Sequence, residues 1–228
     1  MIHNVEREAR QEFEISSKEI ASLGIEEALQ RFFRRHNQIT SEVLAKEGNH
    51  IDCQPGCSFC CYYKVEARAY EIVVIVDYVK SHFSGPQQAT LLARAEQNLE
   101  EMKGLSRAEQ LATNQACLFL LDGQCSIYPV RPVKCRDFHA TDVALCKQSF
   151  DFPEKLDIPN SFCPELRIRA YSATLGFQGA AELAGFDSHA YDLSSAFLEA
   201  FANNSAKKRL HKKKKVFLQT KASEALSE

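Results

Sequence analysis

Residues 67–82, ARAYEIVVIVDYVKSH, decide the fold class. The β-branched core IVVIV at 72–76 would serve equally well as a buried strand. The apolar pattern continues past the usual strand length, and length arbitrates between a buried strand and a buried helix, so a helix is predicted over 67–82. Its neighbours agree. From Ile25 to Leu44, the residues Ile25, Ala28, Leu29, Phe32, Phe33, Ile39, Val43 and Leu44 recur at helical spacing, with Arg31, Arg34 and Arg35 mostly between them. That pattern predicts an amphipathic helix ending near Gly48. Ser84 followed by Gln87 forms a capping box with Pro86 in the first turn, and Leu91, Leu92, Ala95, Leu99 and Met102 continue it. Ser106 and Glu109 repeat the signal for a short helix before Cys117.

Downstream, CLFLLDGQCSIY (117–128) places short apolar runs on either side of Asp122-Gly123, a hairpin signal and the one convincing sheet element. Pro132 suits a first helical turn, so VKCRDF opens a short helix carrying Cys135 and Arg136. Residues 147–163 read as an irregular connection, whereas Pro164–Leu183 and Leu193–Ala202 read as helices. No internal repeat is present.

A chain of 228 residues, 45% of them hydrophobic, has ample material for a core. The start, MIHNVEREARQEFE, is charged and lacks a secretory pattern, and IVVIV is far too short to span a bilayer. These features predict a cytoplasmic protein without a membrane span. The formal charge of -2 is uneven: KKRLHKKKK at 207–215 carries seven Lys or Arg, and without them it falls to -9. The body is therefore acidic, and nucleic acid is an expected partner only through this run, read as part of a solvated tail.

Nine cysteines, an odd number, sit in a chain without an export signal, so metal or redox chemistry ranks ahead of a disulfide framework. Four of them, Cys53, Cys57, Cys60 and Cys61, crowd into CQPGCSFCC at 53–61. Ionised thiols repel one another, and a cation removes that penalty; C-x-x-C spacing at Cys57 and Cys60 aims two sulfurs at one metal. Adjacent Cys60 and Cys61 would point apart in an extended chain. Cys117 and Cys125 flank the hairpin. A two-residue loop pairs Leu120 with Cys125 and throws Cys117 onto the opposite face, whereas a three-residue loop pairs Phe119 with Cys125 and puts both cysteines on one face. A shared centre predicts the second geometry. Cys146 and Cys163 complete the inventory, Cys163 at a helix start.

The series Cys53, Cys57, Cys60, Cys61, then Cys117, Gly123, Cys125, Ile127, Tyr128, Arg131, Pro132, Cys135, Arg136 and Phe138 resembles the YkgJ-like cysteine-cluster family. Its signature is a C-x-x-C-x-x-C-C type run followed by C-x-I-Y-x-x-R-P-x-x-C-R; here the first spacing is one residue longer. The resemblance covers roughly residues 50–140. It implies chelation of zinc or iron and is often tied to an iron-sulfur oxidoreductase without a known substrate.

The expected architecture is mainly α: a single helical domain with a short β-hairpin and cysteine-rich metal-binding loops. Residues 1–48 form an N-terminal helical segment, 49–140 the metal-binding core, 141–205 a C-terminal helical part packed on it, and 206–228 a basic, disordered tail. Metal donors are Cys53, Cys57, Cys60, Cys61, Cys117, Cys125, Cys135 and Cys146. Arg131 and Arg136 offset thiolate charge or hold an anion, while Tyr62, Tyr63 and Tyr128 pack nearby. His139 is read as a surface or capping residue. All-sulfur donors suit an iron-sulfur cluster or Zn²⁺. Two functions follow: an iron-sulfur oxidoreductase or electron carrier with a redox or acidic protein partner, or a structural zinc or metal-handling module whose basic tail recruits a partner. The chain has no nucleotide-binding glycine loop, hydrolase triad or H-E-x-x-H motif.

Overall fold

The computed structural model describes residues 2–202 and 204–223, with side chains from residue 6 onward. The stretch that decides the fold is helical. A three-residue strand, β1 (Glu66–Arg68), leads into a helix at Ala69–His82, in which Ile72, Val73, Val74, Ile75 and Val76 are all buried. A half-buried strand would hide alternate residues; burial on every side marks a helix at the centre of a core.

In chain order the helices are α1 (Ile2–Leu23), α2 (Ile25–Leu44), α3 (Ala69–His82), α4 (Gly85–Glu101), α5 (Arg107–Leu111), α6 (Val133–Asp137), α7 (Val143–Asp151), α8 (Pro164–Leu183), α9 (Leu193–Ala202) and α10 (Ser205–His211). Strands β2 (Leu120–Leu121) and β3 (Gln124–Cys125) form the hairpin, and β4 (Ala190–Asp192) pairs antiparallel with β1. The protein is thus mainly α, as expected. Among the described residues, no helix is long and apolar enough to cross a membrane.

One hydrophobic cluster runs from Ile20 to Phe217 and draws on α2, α3, α4, α8, α9 and α10. Phe32 of α2 stacks on Phe177 of α8, ring centroids 4.7 Å apart. Small residues on α8 let α1 approach closely: a Cβ at Gly176 would lie 2.3 Å from the Ala9 carbonyl oxygen. Arg35 of α2 donates to both Glu12 oxygens (2.9 and 2.6 Å) and to Glu19, which ties α1 to the bundle.

Four expectations change. The β1–β4 pair, in register Ala67 with Tyr191, joins segments more than 120 residues apart and left no local trace. Part of the stretch read as irregular is α7, started by the Asp142 carboxylate, which accepts the Ala144 N–H at 2.8 Å. The hairpin has the two-residue loop: Leu120 pairs with Cys125, and Asp122 and Gly123 adopt φ of 49° and 74°. Finally, the basic run is not a loose tail. It forms α10 and then a strap whose Val216 and Phe217 are fully buried, with Ala222 bridging Tyr191. The Val216 N–H reaches Asp187 (2.7 Å), and Glu199 accepts N–H groups from Leu218, Gln219 and Thr220. Residues 224–228 of the expected tail lie outside the described residues.

Candidate metal centre

Four stretches of chain carry the thiols, and backbone hydrogen bonds stitch them together. The Cys117 N–H donates to the Cys61 carbonyl (2.8 Å) and the Gln115 N–H to the Tyr62 carbonyl (3.1 Å). The Asp52 N–H donates to Ala140 (2.8 Å), whose own N–H reaches the Cys53 sulfur at 3.3 Å. Asp52 also caps the incoming α7, accepting the Val143 N–H at 3.0 Å. Phe150 of α7 packs the helix onto the cysteine turn through Phe59 and Tyr62.

Cys60 and Cys61 occupy a 3-10 turn, Phe59–Tyr62, and share a side-chain hydrogen bond. Successive side chains of such a turn differ by about 120°, against 180° in a strand. The expectation that the two would point apart holds for an extended chain, and this segment is a turn instead. The hairpin expectation fails for a related reason. Cys117 precedes a turn, with the Leu120 N–H on its carbonyl (2.9 Å), so strand alternation does not govern it. Cys117 and Cys125 are still near enough that a charge on Cys125 would oppose ionisation of Cys117, despite the two-residue loop.

Cys135 rides on α6, a five-residue helix held at both ends. At its start, Glu71 of α3 accepts the Val133 N–H (2.7 Å) with one oxygen and the Arg68 N–H with the other. At its end, Asp137 bonds the buried His36 (2.6 Å) and Thr174 (3.2 Å). Sequence reasoning passed over Glu71 and Asp137; a lone glutamate inside the deciding apolar run was the available signal.

Cys60 is the common neighbour. A charge on Cys60 would oppose ionisation of Cys53, Cys117, Cys125, Cys135 and Cys146, and a charge on Cys57 would oppose that of Cys53 and Cys146. The hydrogen bond with Cys61, then burial, drives the Cys60 thiol far up. Burial pushes Cys117 up to about 12 and Cys146 up to about 11, and it raises Cys53, Cys125 and, strongly, Cys135. Thiols so placed stay protonated until a cation replaces their protons.

Arg131 faces this group. Its charge favours the thiolates of Cys53, Cys60, Cys125 and Cys135, and its guanidinium stacks 4.0 Å above the exposed Tyr128 ring. Arg136 turns the other way. Buried on the Phe33 ring, it donates to the carbonyls of Arg131 and Pro129 and to Asn37, and desolvation lowers its pKa to about 10. His139 is half-buried rather than on the surface. Burial lowers its pKa to about 4, and its buried Nε2 has no hydrogen-bond partner among the described residues. Tyr63 packs on Phe138, whereas Cys163 lies apart with Val43, Leu166 and Ala170.

The donor set fits zinc or iron by two observations. The donors are soft sulfurs, and backbone N–H groups of Ala140, Phe119 and Ile127 already point at Cys53, Cys117 and Cys125, where they favour the ionised form. Among the described residues, no group of three His, Cys, Asp or Glu side chains is yet placed to hold a metal ion.

Residues 52–164 match the CxxCxxCC family model, described as "Putative zinc- or iron-chelating domain". No curated protein and no solved structure matches the chain.

Proposed function

Because residues 52–164 belong to the CxxCxxCC family of zinc- or iron-chelating domains, we propose that the metal is iron, bound as an iron-sulfur cluster, and that the protein is an electron carrier or oxidoreductase. The observation that supports this reading is the size of the thiol group. The proposed donors, Cys53, Cys57, Cys60, Cys61, Cys117, Cys125, Cys135 and Cys146, number eight, more than the four that one closed zinc site takes, although two zinc sites would use the same number. Such a cluster supplies one-electron chemistry when bound. The chain's own residues do the rest. Arg131 offsets the negative charge of the thiolates, the N–H groups on three sulfurs stabilise them as anions, and Phe150 packs on Phe59 and Tyr62, the residues that flank Cys60 and Cys61. On this reading residues 49–140 are the metal-binding core, supported by 1–48 and 141–205.

Metal analysis and a visible spectrum on protein purified without oxygen test the proposal. Iron and acid-labile sulfide, with absorbance near about 400 nm, support it. Stoichiometric zinc in a colourless protein overturns it in favour of the second reading, a structural or metal-handling zinc module. That reading draws on the brevity of the thiol-bearing elements, a four-residue turn, two-residue strands and a five-residue helix, which a redox-silent metal would lock together.

A further inference from the structure

A cleft of about 560 Å³ lies against the β1–β4 pair and is lined by Lys64, Glu66, Arg68, Arg107, Lys134 and Glu182, among others. Its size is that of a small-molecule site. Its charge is the unusual part. In a chain of net charge -2, four Lys or Arg here face two carboxylates. Lys64 is matched by Asp192 (3.2 Å), and Arg107 by Glu66 (3.3 Å). The other two cations have no ion-pair partner at contact distance among the described residues. Arg68 does act on the buried Glu71 carboxylate, and Glu182 on the wall is likewise unpaired, which leaves a smaller surplus of positive charge. The Arg68 guanidinium is held by neutral acceptors, the Ser188 carbonyl and Gln178 Oε1 (3.1 Å), and Lys134 has no partner among the described residues. Arg107 adds a buried Nε without an acceptor among the described residues. His189, also on the wall, gives its Nδ1 to Asp187 (2.9 Å).

We propose that this cleft binds a small metabolite through its phosphate or carboxylate groups. A concave wall with surplus positive charge focuses its field on an incoming anion, and a guanidinium offers the planar donors that such groups accept. Arg68 is fixed before the ligand arrives, so little ordering cost remains at that point. The two glutamates disfavour a long polyanion and suit a ligand with a few charges. The site is separate from the thiol group, although Lys134 directly precedes Cys135, and its ligand does not depend on which metal is bound.

The test is calorimetric titration of the full, metal-containing protein with inorganic phosphate and with succinate, both weak chelators, with metal content measured before and after. Saturable binding of at least one probe is expected; tighter phosphate marks a phosphorylated ligand and tighter succinate a carboxylate. Lys134→Gln should weaken binding about fivefold, as expected for one exposed charge. Arg107→Gln should weaken it further, Lys134→Arg should restore it, and Lys103→Gln, outside the cleft lining and paired with Glu100, should change nothing. Absence of saturable binding by both probes overturns the proposal, as does wild-type affinity in both Lys134→Gln and Arg107→Gln.

Discussion

Two regions of this protein lack long regular elements and are held in opposite ways. The C-terminal strap, residues 212–222, is closed by groups the chain supplies itself: the Asp187 and Glu199 carboxylates accept four of its N–H groups, and Val216 and Phe217 fill the core. The cysteine region has the reverse balance. Its N–H groups point at sulfurs, its thiols are raised by burial, and Arg131, Arg136 and Arg94 offset that only in part. The contrast teaches which region is complete by itself. The strap is a finished piece of folding, whereas the cysteine region is arranged for a cation that is not an amino acid.

The largest effect that would break this contrast comes from Cys135→Ser. It should lower metal affinity by at least roughly tenfold and reduce the melting temperature by several degrees. Elemental analysis and thermal unfolding read both, and wild-type occupancy would remove Cys135 from the donor set. Gly176→Ala, in the helical body, should cost about 2–3 kcal/mol, because its Cβ meets the α1 backbone; metal per folded molecule should stay constant. An unchanged denaturant midpoint would refute the close approach.

The strap gives a smaller effect with a pH signature. Asp187 and Glu199 are held below the usual carboxylate range by the N–H groups they accept, acting against burial. Their contribution is therefore fully present above the unfolded-state value near pH 4 and is lost as pH falls through the lower folded-state values. Glu199→Gln should cost about 1–3 kcal/mol at pH 7 and flatten the loss of stability on acidification from about pH 5. Urea unfolding across that range checks it; parallel curves for wild type and variant would show that Glu199 contributes nothing special. Cys163→Ala sharpens the comparison with the smallest change, about 1 kcal/mol or less, and no loss of metal. A fall in metal content would bring Cys163 into the site.

Much of the helical frame was legible because its signals are local. Helix α2 occupies Ile25–Leu44 as its periodicity requires, and α8 begins where Pro164 follows Cys163. Capping boxes at Ser84 and Ser106 marked α4 and α5. What escaped depends on distant partners. The β1–β4 register is set between residues 66–68 and 190–192, and three-residue strands carry no pattern of their own. The strap hid behind its lysines; Val216 and Phe217 were the clue, but their partners Asp187 and Tyr191 lie elsewhere. In the cysteine region, composition suggested the chemistry, while the convergence on Cys60, the 3-10 turn that lets Cys61 share its direction, and the opposite turning of Arg131 and Arg136 required tertiary structure.

The stitching of Cys53 to Ala140 and of Cys61 to Cys117 also sets an order of events. Helices and the two-residue hairpin can form from neighbours along the chain, but these bonds close loops of dozens of residues, whose entropy must be lost before any contact repays it. As the polypeptide emerges from the ribosome, CQPGCSFCC appears long before Cys135 and Cys146. The full set of sulfurs therefore assembles late in folding, and the first four are exposed to oxidants and stray metals for the whole of that interval.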